Sequence, residues 1–217
     1  MNSRFITPLW LLLFYFQPNT ANTDQLPIAD FSKSSVTGWE DIIFTGKTAY
    51  ELYQLVDKVV LKSESRDSAS GLIKEVRVDL KKYPYLNWSW NIENRLDPGD
   101  EKTKSGDDYA ARIYAVVDGG FLPWRTRAVN YVWASSALKG ETWPNAYAGK
   151  NAIMVAVRGR QDKTSTWYWE KRNVYEDLKE LFGTEFQYID AIAIMTDTDN
   201  SHGTAKSYYG DIYFTAR

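Results

Sequence analysis

The chain has 217 residues, of which 44% are hydrophobic and 25% charged, a composition typical of one folded globular domain. Lys and Arg total 26 against 28 Asp and Glu, so there is no basic excess to neutralise a phosphate backbone, and we expect no nucleic-acid partner. Cysteine is absent and His202 is the only histidine. Disulfides and thiolate sites are therefore excluded, and little is left for histidine-based metal or catalytic sites.

The N-terminus has the three-part layout of a secretory signal peptide. Arg4 precedes an apolar run over residues 5–16, and polar residues follow as far as Ala21. The run is shorter than the roughly 20 residues that a membrane-spanning helix needs. Asn19 is unusual two residues before a cleavage site, which leaves an uncleaved anchor as the alternative. We predict a signal peptide over 1–21, a polar leader over 22–30, one domain over 31–217, no transmembrane segment after signal removal, and a periplasmic or secreted location.

The mature chain alternates extended segments with turns. Over residues 72–80 one parity holds Leu72, Val76, Val78 and Leu80, with Lys74 as the exception. Ile73, Val76 and Leu80 also fit a helical period. The β-branched residues in this segment favour a strand. Strict alternation over residues 86–93 predicts the clearest strand, and the nearly continuous apolar run over 188–195 predicts a central strand covered on both faces.

A short helix near residues 174–182 is predicted after the polar residue Asn173, which can cap it, with Gly183 just beyond its end. Further strands are predicted over residues 109–118, 129–133, 153–157, 167–172 and 207–215. With about eight or nine strands and no internal repeat, the pattern is typical of an all-β, antiparallel, two-sheet sandwich of the jelly-roll or galactose-binding type.

Several stretches together carry a family resemblance: Ala69-Ser70-Gly71-Leu72, YPYLNWSW at 83–90, DDYAAR at 107–112, YVW at 131–133, WEKRNV at 169–174, IAIMTDTDN at 192–200 and YYGDI at 208–212. From about Phe31 onward the chain resembles domain-of-unknown-function family 3047, a family of exported bacterial proteins. The resemblance implies a jelly-roll-like domain similar to carbohydrate-binding modules, and it implies no established activity.

A group of oxygen-bearing side chains follows the predicted central strand. Asp197, Asp199 and Asn200 lie within four residues, and Asp211 is a candidate fourth ligand if the last strand pairs nearby. Such oxygens suit a hard cation, so a structural calcium ion is the candidate cofactor. The alternative is a turn in which these side chains bond to their own backbone.

A second polar group combines Arg112 with Asp107, Asp108 and Arg172. In alternating strands the two arginines fall opposite the small aliphatic residues, where an unpaired charge would be costly. One interpretation is an ion-pair network that ties strands together. The other is a polar floor for sugar hydroxyls, on which a bidentate arginine fixes the orientation of the ligand.

The chain is rich in aromatic residues, with nine Trp and fifteen Tyr. Trp88 and Trp90 alternate with polar residues beside Leu86 and Ile92, so we predict that they face the core. Trp124, Trp133 and Trp143 lie in or near turn-rich segments and are predicted to be exposed. Trp167 and Trp169 share one face, and sugar rings pack well on such flat surfaces.

Together these patterns predict a non-catalytic binding module for a glycan or another cell-envelope ligand, with no recognised catalytic motif. The predicted ligand-binding residues are Arg112, Trp133, Arg172 and Asp211. One alternative is a carbohydrate-active hydrolase or lyase that uses paired carboxylates, for which Glu93, Glu170 and Asp211 are candidates. Another is a structural or partner-binding envelope protein that takes no small ligand.

Overall fold

The computed structural model describes residues 25–217, so the predicted signal peptide lies outside the described residues. Its regular elements are β1 (Gln25–Ala29), β2 (Glu40–Thr45), β3 (Ala49–Gln54), β4 (Val59–Arg66), β5 (Ala69–Asp79), β6 (Tyr85–Ile92), β7 (Arg112–Val117), β8 (Arg127–Trp133), β9 (Thr142–Asn145), β10 (Gly149–Arg158), β11 (Tyr168–Asn173), α1 (Val174–Phe182), β12 (Tyr188–Asp197), β13 (Thr204–Tyr209) and β14 (Ile212–Thr215). Short 3-10 turns lie at Phe31–Lys33, Lys104–Gly106 and Pro123–Arg125.

The strands form two sheets of seven strands each. In sheet A the order is β1-β14-β6-β13-β4-β3, and β11 pairs with the other edge of β6. In sheet B the order is β2-β5-β12-β7-β8-β10-β9. All these pairs are antiparallel except β8 with β10. The predicted all-β two-sheet sandwich with one short helix is therefore confirmed.

Alternation along the strands builds the core between the sheets. On β6, Leu86, Trp88, Trp90 and Ile92 are buried in the core cluster, as predicted. The intervening polar residues point to the outer face of sheet A. In sheet B the inward residues include Ile113 on β7 and other apolar side chains of the same cluster, namely Val129, Tyr131, Val155, Ile192 and Ile194.

Two strand predictions depended on the type of apolar pattern. The segment over 72–80 forms part of β5 and pairs with β2 and β12, so the strand interpretation is confirmed over the helical one. The apolar run over 188–195 forms most of β12, which lies between β5 and β7. Its position inside the sheet explains why this segment lacks alternating polar residues.

Helix α1 begins and ends at the predicted residues. The Asn173 side chain accepts a hydrogen bond from the backbone N–H of Glu176 at 3.1 Å, and Gly183 closes the helix with a φ of 68°. Glycine adopts this left-handed conformation without the steric cost of a Cβ atom. Among residues 25–217, no helix is long and apolar enough to cross a bilayer.

The structure has more strands than the predicted eight or nine. Residues 40–54 form β2 and β3, whose side chains are largely exposed, so they lack the alternation that identifies a strand in sequence. Residues 207–215, predicted as one strand, are divided between β13 and β14 by Gly210 and Asp211. Gln25–Ala29, placed in the polar leader, pairs with β14, because Ile28 and Ala29 bury against the core.

One part of the interior is lined by hydroxyl groups. Ser63 Oγ lies 2.9 Å from Thr196 Oγ1, and Ser65 Oγ lies 2.8 Å from Thr198 Oγ1. Thr196 Oγ1 also donates to the carbonyl of Ala110 at 2.9 Å. These buried groups therefore find partners across the space between the sheets, as buried polar groups must.

Candidate functional site

The main candidate site is a cavity on the outer face of sheet B, here called the sheet B cavity. Arg112 and Tyr114 on β7 and Asn130 on β8 alternate with the inward residues of those strands and therefore point outward. Together with Met195 on β12 they line a cavity of about 430 Å³. Its floor consists of strand residues, whose positions are fixed by the sheet.

Arg112 occupies the floor with its charge compensated by two buried carboxylates. Its Nη2 group donates to Asp197 Oδ2, and its Nη1 atom lies 3.7 Å from Asp107 Oδ2. The Arg112 side chain is only 4% exposed. Asp197 also accepts from the backbone N–H of Tyr109 at 3.1 Å. An arginine buried to this extent needs such partners, because an unpaired buried charge is very costly.

The charge states of the floor follow from its surroundings. Burial alone would lower the pKa of Arg112, but the adjacent carboxylates of Asp197 and Asp107 raise it, so the guanidinium stays charged. Burial raises the pKa of Asp107, and Arg112 offsets this only in part. Burial also raises the pKa of Tyr114, whose hydroxyl stays protonated and donates to Met195 Sδ at 3.5 Å.

One wall of the sheet B cavity is formed by a turn whose backbone is hydrogen-bonded to the side chain of one asparagine. Asn145 Oδ1 accepts from the backbone N–H of Tyr147 at 3.0 Å and of Ala148 at 2.8 Å, while its Nδ2 lies 3.3 Å from Asp107 Oδ2. Such an Asx turn is a usual role for asparagine. Tyr147 is 59% exposed, and across the cavity Phe44 of β2 is 68% exposed.

Two polar atoms of the floor side chains have no hydrogen-bond partner in the described chain, although both are buried. They are Arg112 Nε and Asn130 Oδ1. Asn130 is 1% exposed, and its Nδ2 donates to Met154 Sδ at 3.1 Å. Leaving buried polar atoms unpaired costs about 1–3 kcal/mol each. Both side chains line the sheet B cavity.

An acidic cluster borders the sheet B cavity. The carboxylates of Asp108, Asp197 and Asp199 place oxygen atoms within 4.8 Å of one another. Asp108 accepts from the backbone N–H groups of Asn200 at 3.2 Å and Ser201 at 2.6 Å. Asn200 itself directs its Nδ2 to Tyr147 at 3.0 Å. Calcium at Asp197, Asp199 and Asn200 stays a prediction, with Asp108 as an additional candidate ligand.

The remaining predicted ligand-binding residues do not join Arg112. Arg172 on β11 donates to Asp177 of α1, with Nε 3.0 Å from Oδ2. Asp211 accepts from the backbone N–H of Ser32 at 2.8 Å. The structure brings together Arg112 and Asp197 and places Arg172 and Asp211 with sheet A, so Asp211 is not a fourth member of the acidic cluster.

Trp133 lies in the core, where its ring centroid is 5.9 Å from that of Trp90 and 5.3 Å from that of Tyr168. The expectation that Trp133 and Trp143 are exposed is wrong, since they are 1% and 6% exposed. Trp133 ends β8 on its inward face, and Trp143 packs in a second apolar cluster outside sheet B. Trp124 is 65% exposed, as predicted.

The carboxylates considered for glycoside hydrolysis have separate partners. Glu170 Oε1 accepts from Arg158 Nε at 2.5 Å and from Trp90 Nε1 at 3.1 Å, which turns it toward the core. Asp211 is bound to Ser32, and Glu93 accepts from the hydroxyl of Tyr208. Each carboxylate therefore has a hydrogen-bonding role within the fold.

Sequence reasoning missed most of the residues that line the sheet B cavity, and four of them show why. Asn130 lies in a predicted strand, on the same face as Val132 and on the other face from Tyr131. Its place in this alternation was the signal that could have assigned it to the outer face. Asn145 ends β9 and Tyr147 lies in the turn that follows it, and Phe44 lies on an edge strand that was not predicted. Only the pairing of β2 with β5 and of β9 with β10 brings these segments to one face.

The family model described as protein of unknown function (DUF3047) matches residues 37–213. The chain belongs to this family. The match includes every strand of sheet B and all the residues that line the sheet B cavity. No curated protein matches the DUF3047 chain.

Among solved structures, the chain is similar to a family 11 carbohydrate-binding module from Clostridium thermocellum in complex with a β-1,3-1,4-mixed-linked tetrasaccharide (11% identity, 88% of this chain and 95% of that chain covered, TM-score 0.49). It is similar to the CBM22-2 xylan-binding domain of Xyn10C from Paenibacillus barcinonensis (12%, 87% and 98%, TM-score 0.41). It is also similar to a lectin from Bauhinia forficata in complex with GalNAc (12%, 88% and 97%, TM-score 0.42).

Proposed function

We propose that this DUF3047 domain is a non-catalytic binding module and that its sheet B cavity holds a neutral glycan. The observation that carries the proposal is the pair of unpartnered buried atoms, Arg112 Nε and Asn130 Oδ1, on side chains that line the cavity. Both atoms are covered in this structure, so a small shift of the floor side chains must accompany binding before a sugar hydroxyl accepts from the first and donates to the second. Because both groups lie on strands, the ligand would meet a preorganised floor.

The walls of the sheet B cavity suit the apolar faces of a sugar ring. Phe44 and Tyr147 expose most of their side chains beside the polar floor. Small-ligand sites commonly combine such aromatic surface with a few polar groups that fix orientation. The Asn145 turn and the contact with Asn200 hold Tyr147 in place, which lowers the entropic cost of binding.

The charge of the cavity favours a neutral sugar over an acidic one. Among residues 25–217, Arg112 is the only cationic side chain that lines it, and Asp107, Asp197 and Asp199 line it as well. An incoming carboxylate would find Arg112 already paired with Asp197 and would lie close to the Asp199 side chain. A hydroxyl-rich neutral ligand avoids this repulsion and still uses both the donor and the acceptor.

The test is calorimetric titration with neutral oligosaccharides, first selected on a glycan array. We expect Tyr147→Ala and Phe44→Ala each to weaken binding by about tenfold, equivalent to about 1.4 kcal/mol. Trp124→Ala is the matched control, because Trp124 is equally exposed but lies outside the cavity lining. Binding that is unchanged in both cavity variants, or the absence of any neutral glycan ligand, would overturn the proposal.

We also propose that the domain works outside the cytoplasm, in the periplasm or as a secreted protein. The support is the charged, apolar and polar layout of residues 1–21. The test is cell fractionation followed by N-terminal sequencing of the mature chain. We expect a chain that begins after Ala21, whereas a full-length chain in the cytoplasmic fraction would contradict the proposal.

A further inference from the structure

A groove crosses the outer face of sheet A, on the opposite side of the sandwich from the sheet B cavity. It consists of two depressions of about 360 Å³ and about 610 Å³. Both are lined by Asp211 and Tyr213, so they adjoin at these residues, and the two together are here called the sheet A groove. It runs across β11, β6, β14 and β1, which suits an extended ligand more than a compact one.

An exposed indole forms one wall of the sheet A groove. Trp169 is 70% exposed and stands opposite Ser89 in the pairing of β11 with β6. In the floor beside it, the Ser89 side chain occupies the position that a Cβ atom at Gly210 would take, so glycine is required there. Most of the Trp169 indole stays exposed above this floor.

Two lysines flank this indole without a carboxylate partner. Lys58 Nζ lies 3.6 Å from the ring centroid of Trp167 and 5.7 Å from that of Trp169. Lys171 Nζ lies 4.6 Å from the ring centroid of Tyr85. Neither ammonium group has a carboxylate oxygen within 4.0 Å in residues 25–217. Both are held by aromatic rings, which leaves their charge available to a ligand.

The acidic residues along the sheet A groove are already engaged. Asp211 accepts from both the backbone N–H and the side-chain hydroxyl of Ser32. Asp30 pairs with Lys33 at 3.3 Å, and Glu170 pairs with Arg158 at 2.5 Å. Around Trp169 the two lysines therefore have no ion-pair partner, and Asp211 is hydrogen-bonded to Ser32 with no cationic group within 4.0 Å in residues 25–217.

We infer that the sheet A groove binds an acidic polysaccharide built of uronate sugars. The apolar face of one sugar ring packs on the Trp169 indole, and carboxylates pair with Lys58 and Lys171. The groove length accommodates neighbouring residues of the same chain along Tyr213. This ligand differs in charge from the neutral glycan of the sheet B cavity, so the two inferences stand on separate residues and fail separately.

A nucleic-acid strand also combines flat rings with negative charge, but the chain favours it less. The protein carries a formal charge of −2, and the groove offers two free cations rather than a basic stripe. Binding of nucleic acid depends on many phosphate contacts. A uronate polymer matches the observed groups more closely, because each sugar offers a carboxylate to the lysines and an apolar face to the Trp169 indole.

The experiment is calorimetric titration of the full chain with an oligogalacturonate and with its carboxyl-reduced counterpart, which keeps the ring and loses the charge. We expect binding of the acidic oligomer only, and loss of that binding in roughly 1 M NaCl, where the Debye length is about 3 Å. Trp169→Ala and Lys58→Met should each weaken binding by about tenfold or more.

Matched controls separate this site from general effects. Trp124→Ala removes an equally exposed indole elsewhere, and Lys139→Met removes an exposed lysine outside the groove. Tyr147→Ala alters the sheet B cavity only. All three should bind the oligogalacturonate as the wild-type chain does, and thermal melting should confirm that every variant is folded.

Four outcomes would overturn the inference. The first is equal binding of the acidic and carboxyl-reduced oligomers, and the second is binding of the acidic oligomer that Trp169→Ala leaves unchanged. The third is no binding of oligogalacturonate at low salt. Tighter binding of a single-stranded oligonucleotide, abolished by Trp169→Ala, would assign the groove to another polyanion and would also reject the uronate ligand.

Discussion

The hydroxyl oxygen of Tyr209 lies 3.3 Å from the backbone nitrogen of Arg112, which donates to it. The same hydroxyl donates to the carbonyl of Met195 at 2.9 Å. Tyr209 belongs to sheet A, whereas Arg112 and Met195 belong to sheet B, so one buried side chain fixes the backbone beneath the sheet B cavity.

Tyr209→Phe should therefore destabilise the fold. It leaves a buried N–H and a buried carbonyl without their partner, which costs about 1–3 kcal/mol in the free energy of unfolding. Urea unfolding followed by tryptophan fluorescence measures the loss. Tyr208→Phe is the control, because Tyr208 bonds to Glu93 on the outer face. Equal stability of Tyr209→Phe and the wild-type chain would show that the two backbone groups find other partners.

The buried pair of Arg112 and Asp197 should behave as a unit. Asp197→Asn leaves the guanidinium without its nearest charge, and we expect a loss of about 3–5 kcal/mol in the free energy of unfolding. A double-mutant cycle with Arg112→Met should show that the paired change costs much less than the sum of the single changes. Glu141→Gln, which breaks an exposed pair with Lys102, should cause no comparable loss. Additive losses would contradict a coupled pair.

Calcium at the cluster of Asp108, Asp197 and Asp199 predicts a rise in melting temperature when CaCl₂ is added, since an ion that binds only the folded state stabilises it. Asp199→Asn should remove this rise, because it deletes a charged ligand that is only half-buried. MgCl₂ at the same concentration is the control for ionic strength. An unchanged melting temperature with millimolar Ca²⁺ would reject calcium at this cluster.

The single histidine should titrate above its ordinary pKa. His202 Nδ1 lies 2.7 Å from Asp67 Oδ1, and this hydrogen bond to a carboxylate raises the pKa of the imidazole. The stabilisation from the pair is fully present below the unfolded-state pKa and is lost as the pH rises through the folded-state pKa. NMR titration gives one set of imidazole signals. Asp67→Asn should lower the pKa toward its ordinary value, and an unchanged value would exclude the pair.

The parts of the fold that follow a local period could be predicted from the sequence. The inward set on β6, the apolar run of β12 and the caps of α1 each depend on residues within one segment. Exposed edge strands such as β2 and β3 escaped prediction, because packing against one neighbour imposes little pattern on their side chains.

The candidate site was predicted only in part, because alternation gives the side of a strand but not the sheet that the strand joins. Arg112 and Asp197 meet because β7 pairs with β12, a contact between distant segments. Arg172 has a similar local pattern, yet β11 joins sheet A. Trp133 lies next to a turn in sequence, but its position on the inward face of β8 decides its burial.

The sheet B cavity and the sheet A groove face away from each other, across two sheets whose backbones are about 10 Å apart. One linear polymer chain is therefore poorly placed to occupy both at once. If both sites are filled, a single molecule cross-links two different polymers, one neutral and one acidic. Mixed polysaccharide gels should then stiffen when the protein is added, whereas a gel of either polymer alone should not.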